Sequence, residues 1–465
     1  MIDIMVDPAI RIPAYITNDI VTDLESFRSI SPEWEDLVSR SSGTIFQSFE
    51  WQRLWWKYFA SDGCNRLLIV LVRDGRRLIG AAPFFLEDFS LARFKSVTQL
   101  KLIGSGLHLK KSALISLERD GPSDYLDILA AEGYERTVAA SISNFLKDNS
   151  DLWDEIEFQN VPEDGVLMNH VVPQLQASGV TMTCKASDAC PRIILPASTE
   201  EFRSSLEART KRSLRRSEKT YLDNPDYSID EVQDTPDLEN GLQILSGLHQ
   251  RRWNSAGYPG LFSDRRFSSM LHDLVQALAG SGKLWMEVMY HKDKPISARM
   301  GFVLNGRVYD YLSGVEHKTY ESGPANYSGA GVATIQYAID KSIHSGCQVF
   351  DLLRGDEAYK FTLNPSVYRN YSITMKSRRS TARKIMVQKI GSLQFSILSR
   401  IMCEWTIFNT IASERGRLLA LPRFLMHLTN RITLRSLHHV NSRIAGQNLP
   451  TTSERPIGSS AMNKT

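Results

Sequence analysis

The sequence predicts an α/β protein of two tandem units, each a mixed, mostly antiparallel sheet flanked by helices, with a C-terminal helical tail. Three observations predict it. The chain has 465 residues, too many for one ordinary core. A plan of hairpin, strand, helix and strand occurs twice along it. Its end departs sharply in charge from its body. A hydrophobic content of 42% with 23% charged residues is that of a folded globular chain.

Residues 1–30 read as a leader with one short strand, Ile20 to Phe27. The first unit spans 31–192. Ser31-Pro32 opens a helix, with serine as N-cap and proline at the first helical position. Ser48 opens another, whose Trp51, Trp55 and Trp56 suit a packed core. Arg66 to Val72 and Arg77 to Leu86 form a hairpin around Asp74-Gly75. Lys95 to Ile103 and Tyr125 to Leu129 read as strands. Glu132 to Lys147 reads as a helix with Val138, Ile142, Phe145 and Leu146 on one face. Glu155 to Val161 returns as a strand.

The second unit spans 193–375. A helix starts at Ser198 and runs through the basic stretch Arg209, Lys211, Arg212, Arg215 and Arg216. That stretch is a solvated face, or attracts a phosphorylated donor or sugar nucleotide. Helices follow at Leu238 to Trp253 and Phe267 to Ala279. Leu284 to Tyr290, Ile296 to Leu304 and Val308 to Val315 form a meander, with Asn305-Gly306 as a strong hairpin turn. A glycine-rich loop, Glu321 to Gly331, leads into a helix at Val332 to Ser345. Strands Gln348 to Leu353 and Ser366 to Met375 close the unit.

Several classes are excluded. The longest strongly apolar run, Leu67 to Val72, is too short to span a membrane. The start, Met1 to Pro8, has acids and no basic n-region, so it does not read as a secretory signal. Five cysteines without a Cys-x-x-Cys pair, and ten histidines without a His-x-x-x-His pair, offer no zinc or iron site and suit a reducing cytoplasm.

The densest chemistry lies at Phe350-Asp351-Leu352-Leu353-Arg354-Gly355-Asp356-Glu357-Ala358-Tyr359-Lys360. A buried strand runs out there into ionisable groups, which is where sheet folds gather reactive side chains. The same pattern also suits a salt-bridged sheet edge. Just before it, Tyr327, Ser328, Gly329, Ala330 and Gly331 run into a helix start. Backbone N–H groups there favour a phosphate.

This arrangement resembles the GNAT acyltransferase superfamily, most closely its CelD-like branch of cellulose and exopolysaccharide synthesis, with a distant likeness to Fem-type transferases. The resemblance covers roughly 30–375 and rests on the 350–360 stretch. Gln47-Ser48-Phe49-Glu50-Trp51, the helix from Phe202 to Tyr221, and Leu248-His249-Gln250-Arg251-Arg252-Trp253 with Gly257 support it. It implies that the second unit binds acetyl-CoA or another acyl-CoA, with its pyrophosphate on residues 327–331, and that the first unit has no cofactor. The family's loop usually carries Tyr-Ser-Pro-Gly; here Tyr327-Ser328 is followed by Gly329-Ala330-Gly331, without the proline.

An acceptor attacking a thioester must lose a proton, and Asp351 and Asp356 are the candidate bases. Tyr359 is the candidate acid for the departing thiolate. Arg354 and Lys360 suit an anionic substrate or ion pairs. His249, Arg252 and Trp253 border the acceptor cleft by resemblance; otherwise they pack a helix end. The expected function is N- or O-acyl transfer to a small-molecule or saccharide acceptor, a cell-envelope or exopolysaccharide precursor. The alternatives are a silent module of a membrane-associated polysaccharide machine and a Fem-like aminoacyl transferase.

The overall charge of +3 hides a split of +12 over residues 376–465 against −9 elsewhere. Met386, Ile390, Leu393, Ile397 and Ile401 recur at helical spacing among Arg383, Lys384, Lys389 and Arg400. A basic amphipathic helical tail over 376–446, interrupted at Pro422, suits an anionic membrane surface at its inner face, polysaccharide-synthesis proteins, or packing on the acidic body. No recognised nucleic-acid module is present. Residues 447–465 have a polar composition that predicts disorder.

Overall fold

The computed structural model describes residues 13, 15–60, 65–89, 97–107, 121–232, 235–255, 259–316, 327 and 329–376. The expectations for the leader before residue 13, for Ser328 and for the tail beyond Lys376 lie outside them. Among the described residues no helix is long and apolar enough to cross a membrane. No group of three or more His, Cys, Asp or Glu there is arranged to hold a metal.

Among the described residues, thirteen strands form one mixed, mostly antiparallel sheet flanked by helices. They are β1 (Ile16–Val21), β2 (Asn65–Asp74), β3 (Arg77–Phe89), β4 (Val97–Leu102), β5 (Leu129–Ala130), β6 (Glu155–Pro162), β7 (Met182–Ile194), β8 (Tyr227–Glu231), β9 (Leu284–His291), β10 (Lys294–Leu304), β11 (Arg307–Val315), β12 (Val349–Asp351) and β13 (Ser366–Lys376). The order is β1-β2-β3-β4-β6-β13-β7-β12-β11-β10-β9-β8, with β5 beside β3. The two halves share a plan. β2, β3 and β4 run antiparallel and β4 pairs parallel with β6. β9, β10 and β11 repeat this, and β11 pairs parallel with β12.

The halves also trade strands. β7 follows the first half in sequence yet pairs with β12 of the second. β13 closes the second half yet pairs with β6 of the first. β7 and β13 then pair with each other, antiparallel, from Ser366–Arg192 to Met375–Met182. The border expected at 192/193 therefore falls inside a strand, and the sheet passes through it unbroken.

Helices α1 (Leu24–Ser29), α2 (Ser31–Ser39), α3 (Phe49–Trp55), α4 (Glu135–Asp148), α5 (Val172–Ala177), α6 (Thr199–Ser205), α7 (Ala208–Ser217), α8 (Thr235–Ser255), α9 (Arg265–Leu278), α10 (Ala330–His344) and α11 (Ala358–Phe361) flank the sheet. On one face a single apolar cluster joins Trp34, Trp51 and Trp55 of the first half to Leu248, Phe267 and Phe302 of the second. Each large side chain fully buried there stabilises by about 1.5–3 kcal/mol. The other face carries separate clusters under each half.

Several local expectations hold. Ser48 Oγ accepts from Trp51 N, and the Asn305-Gly306 turn has φ of +50° and +71°, as a type I′ hairpin requires. Others change. The strand expected over Ile20 to Phe27 is β1, ending at Val21, followed by α1, whose cap Asp23 accepts from Ser26 N at 2.8 Å. The strand expected over Tyr125 to Leu129 pairs only at Leu129–Ala130. Tyr125 has φ +54°, and the Asp127 carboxylate accepts from Ile128, Val166 and Leu167 N–H groups, which bends the segment away from a ladder. The helix expected from Ser198 through Arg216 breaks at Leu206, whose ψ of 155° is extended.

Candidate active site

The strand expected over Gln348 to Leu353 is short: β12 ends at Asp351. β11 and β12 are paired only from Arg307–Val349 to Tyr309–Asp351. Beyond that pair they part. A register shift against β10 at Met300/Gly301 leaves Tyr311 unmatched, a bulge that re-aims the strand. Past β12 the chain swings away, with Leu353 at φ +57° and Gly355 at φ +133°. A cleft of about 300 Å³ opens in the fork.

Four segments supply most of its walls. β11 contributes Asp310 to Ser313, and the turn after β12 contributes Leu352 to Arg354, Glu357, Tyr359 and Lys360. α8 contributes His249, Arg252 and Trp253. The first half contributes Gly121, Pro122 and Asp124. α8 lies hard against β11 because Gly314 has no side chain: an added Cβ would stand 2.7 Å from His249 N. Gly314→Ala should therefore push α8 off the strand, costing about 1–3 kcal/mol. A urea midpoint below that of the unaltered protein is the expected result.

The first-half wall is tied down by the second half's polar turn. Arg354 Nε sits 2.7 Å from Asp124 Oδ1, and its Nη2 donates to Gly121 O at 2.7 Å. Tyr311 OH donates to Pro122 O at 2.8 Å. Lys360 Nζ donates to Arg354 O at 2.9 Å and pairs with Glu357 at 2.9 Å. Arg354 and Lys360 thus line the cleft while bracing it. Asp310 is buried against Arg299 at 2.5 Å, and Arg299 Nη2 reaches Gly331 O at 3.4 Å, joining the cleft to the start of α10.

His249 is 4% exposed and its Nδ1 has no hydrogen-bond partner. Burial pushes its pKa down to about 4, so the imidazole is neutral at pH 7. Tyr359 is 40% exposed; the partial burial of its hydroxyl, and then Asp310, push its pKa up to about 12, so the phenol keeps its proton. The Arg252 charge bears on both groups. Trp253, 39% exposed, stands at the mouth.

Neither carboxylate offered as a base lines the cleft. Asp351 is fully buried. Its Oδ1 accepts from Tyr125 OH at 2.8 Å and Leu353 N at 2.9 Å, and its Oδ2 lies 3.3 Å from Arg192 Nε. Burial pushes its pKa up against the pull of Arg192 and Arg307. Its place opposite Arg192 in the ladder turns it into a bond between strands. Asp356 is exposed in the turn, outside the lining.

At the start of α10, Gly329 takes φ +104° and no side chain caps the helix. Ser217 OH of α7 donates to Gly329 O at 3.0 Å. Gly329 and Gly331 are half-buried and Ala330 is buried. Tyr327 is buried, its hydroxyl 3.1 Å from His291 Nδ1, in an apolar cluster with Tyr221, Met289, Ile296, Ala330 and Ala333.

The sequence reading passed over Asp310, Arg299, Tyr311 and Gly121 to Asp124. A carboxylate amid the apolar residues of β11 was a usable signal for Asp310. Nothing in the sequence links Asp124 to Arg354 across 230 positions.

The fold and cleft define a tandem α/β architecture with an open cleft in its second half, and comparison narrows it. Residues 208–361 match the family described as acetyltransferase (GNAT) domain. That span contains all the cleft lining except the first-half wall. Among solved structures, FemX aligns over 80% of this chain and 100% of its own at 10% identity, with a TM-score of 0.52. The likeness is one of fold. A tandem GNAT protein from the clavulanic acid biosynthesis pathway aligns over 77% of this chain and 98% of its own at 12% identity, with a TM-score of 0.39. A GCN5-related N-acetyltransferase from Sphaerobacter thermophilus aligns over 79% and 96% at 11% identity, with a TM-score of 0.32. At those scores neither carries weight here. No curated protein matches the chain.

Proposed function

We propose that this protein is an acyl-CoA-dependent acyltransferase acting on an amine or hydroxyl of a cell-envelope or exopolysaccharide precursor. One observation carries the reading: a neutral imidazole and a protonated phenol share a cleft that opens where β11 and β12 part. The residues fit the donor. Gly329 and Gly331, either side of Ala330, leave the uncapped α10 N-terminus with little side-chain bulk, which suits a pyrophosphate. The basic face of α7, anchored beside it through Ser217, favours further phosphates.

Acyl-CoA, as the donor substrate, supplies the thioester. His249 Nδ1 accepts the proton that the acceptor's nitrogen or oxygen sheds as it bonds to the acyl carbon. Tyr359 gives its proton to the sulfur as the carbon–sulfur bond breaks. Asp310, held by Arg299, keeps the Tyr359 phenol protonated. Asp351 and Asp356 take no part in the proton transfers of this scheme.

Acetyl-CoA at 100 times its Kd should stabilise the fold by about 2.7 kcal/mol. No rise in melting temperature at millimolar acetyl-CoA or longer acyl-CoAs favours a silent module instead. Asp356→Asn should retain turnover. The acid limb of kcat/KM should fall near pH 4 and not near 6.5, the ordinary histidine value. The linkage has the same sign. A depressed histidine pKa contributes stability that is full above 6.5 and lost as pH falls through about 4. A limb at 6.5 removes His249 as the proton acceptor.

A further inference from the structure

The cleft's lining holds as many carboxylates as cations, yet the ion pairs leave one cation over. Among the described lining residues, Arg354 is matched by Asp124 and Lys360 by Glu357. Asp310, the remaining lining carboxylate, is taken by Arg299. Among the described residues Arg252 is left with no carboxylate partner. It stands half-buried on α8, one turn beyond His249.

A second observation points the same way. His249 is buried with Nδ1 lacking a partner and lines the same cleft. Side chains three apart on a helix lie about 5–6 Å apart. A half-buried cation with no counter-charge is costly until an anion joins it. The donor's phosphates have their own place at the start of α10, so this charge belongs to the acceptor side. Trp253, beside Arg252 and half-exposed at the mouth, offers a flat apolar face.

Resting on the acyl-transfer reading, we propose that Arg252 binds a carboxylate or phosphate of the acceptor, so that the acceptor is an anion whose nucleophile reaches His249. A guanidinium holds either group through two parallel N–H bonds. A neutral analogue leaves that charge unanswered and binds poorly. The acceptor class narrows to sugars or small molecules bearing phosphate or carboxylate a few bonds from the amine or hydroxyl that is acylated.

The test measures melting-temperature shifts and Kd for glucosamine 6-phosphate, glucuronate and glucosamine, which carries no anionic group, each with and without acetyl-CoA. Arg252→Gln and Arg252→Lys are compared with the unaltered protein. A charged probe should bind at least about tenfold more tightly than glucosamine. Arg252→Gln should abolish that preference, Arg252→Lys should keep part of it, and both should keep the acetyl-CoA shift. A response to the phosphate alone, or to the carboxylate alone, identifies which anion is read. Equal shifts for charged and neutral probes overturn the proposal, as does the absence of any shift with the anions. So does a preference that survives Arg252→Gln, or an acetyl-CoA shift that Arg252→Gln removes, which moves the residue to the donor. If acetyl-CoA produces no shift in the unaltered protein, the acyl-transfer reading fails, and the anion arm still judges Arg252.

Discussion

Replacing Tyr359 by phenylalanine should lower kcat by about 10²- to 10³-fold while the Kd for acetyl-CoA stays within about twofold. The hydroxyl is the only atom removed. Its pKa of about 12 keeps it protonated across the working range, so it is a donor and not a base. An acid used only as the carbon–sulfur bond breaks acts in the transition state, and its loss appears in kcat. The alkaline limb of the pH profile, set near 12 by this group, should vanish with it. Two measurements decide the case: single-turnover thiol release and calorimetric titration with acetyl-CoA. Unchanged turnover in the phenylalanine variant removes Tyr359 from the chemistry. A loss of affinity with turnover intact makes it a donor contact.

Asp351→Ala should be the most damaging single change to the fold, at about 3–5 kcal/mol. It leaves the Arg192 guanidinium, 3% exposed, facing an empty site. Asp164 still holds one end of Arg192 at 2.5 Å, and the rings of Tyr125 and Tyr368 lie 4.7 and 4.0 Å from it. None of these replaces the carboxylate that joins β12 to β7. Tyr125 OH and Leu353 N also lose their acceptor, and unsatisfied buried donors cost about 1–3 kcal/mol each. Urea unfolding reads the stability loss. Activity per folded molecule, measured on Asp351→Asn at low temperature with acetyl-CoA present, separates structure from chemistry. A fully stable but inactive asparagine variant returns Asp351 to the reacting groups.

Much of the fold was legible because its signals are local. The meander from Leu284 to Val315 shows in apolar runs and in one Asn-Gly turn. α4 shows in Val138, Ile142, Phe145 and Leu146, which recur on one helix face. Ser48 shows as a cap. β7 was missed because Met182 to Ile194 mixes lysine, serine and aspartate into its outward positions and carries no turn signal. β8, Tyr-Ser-Ile-Asp-Glu, reads as loop for the same reason: an edge strand needs few apolar residues. Of the cleft's lining, Tyr359, Lys360, Arg354, His249, Arg252 and Trp253 were singled out from residue type and from resemblance.

What the sequence determined by itself is the inventory: a repeated sheet plan, a helix start rich in glycine, and a strand that runs out into acids, an arginine and a tyrosine. What only the tertiary structure decided is which of those groups meet. The exchange of β7 and β13 sets Arg192 opposite Asp351 and turns a candidate base into a buried tie. The parting of β11 and β12 opens the cleft, and residues 121–124 of the other half close its wall. Local propensity is written in neighbours three, four or two positions apart. Pairing across 160 to 230 positions is decided by register and burial, which no short stretch of sequence contains.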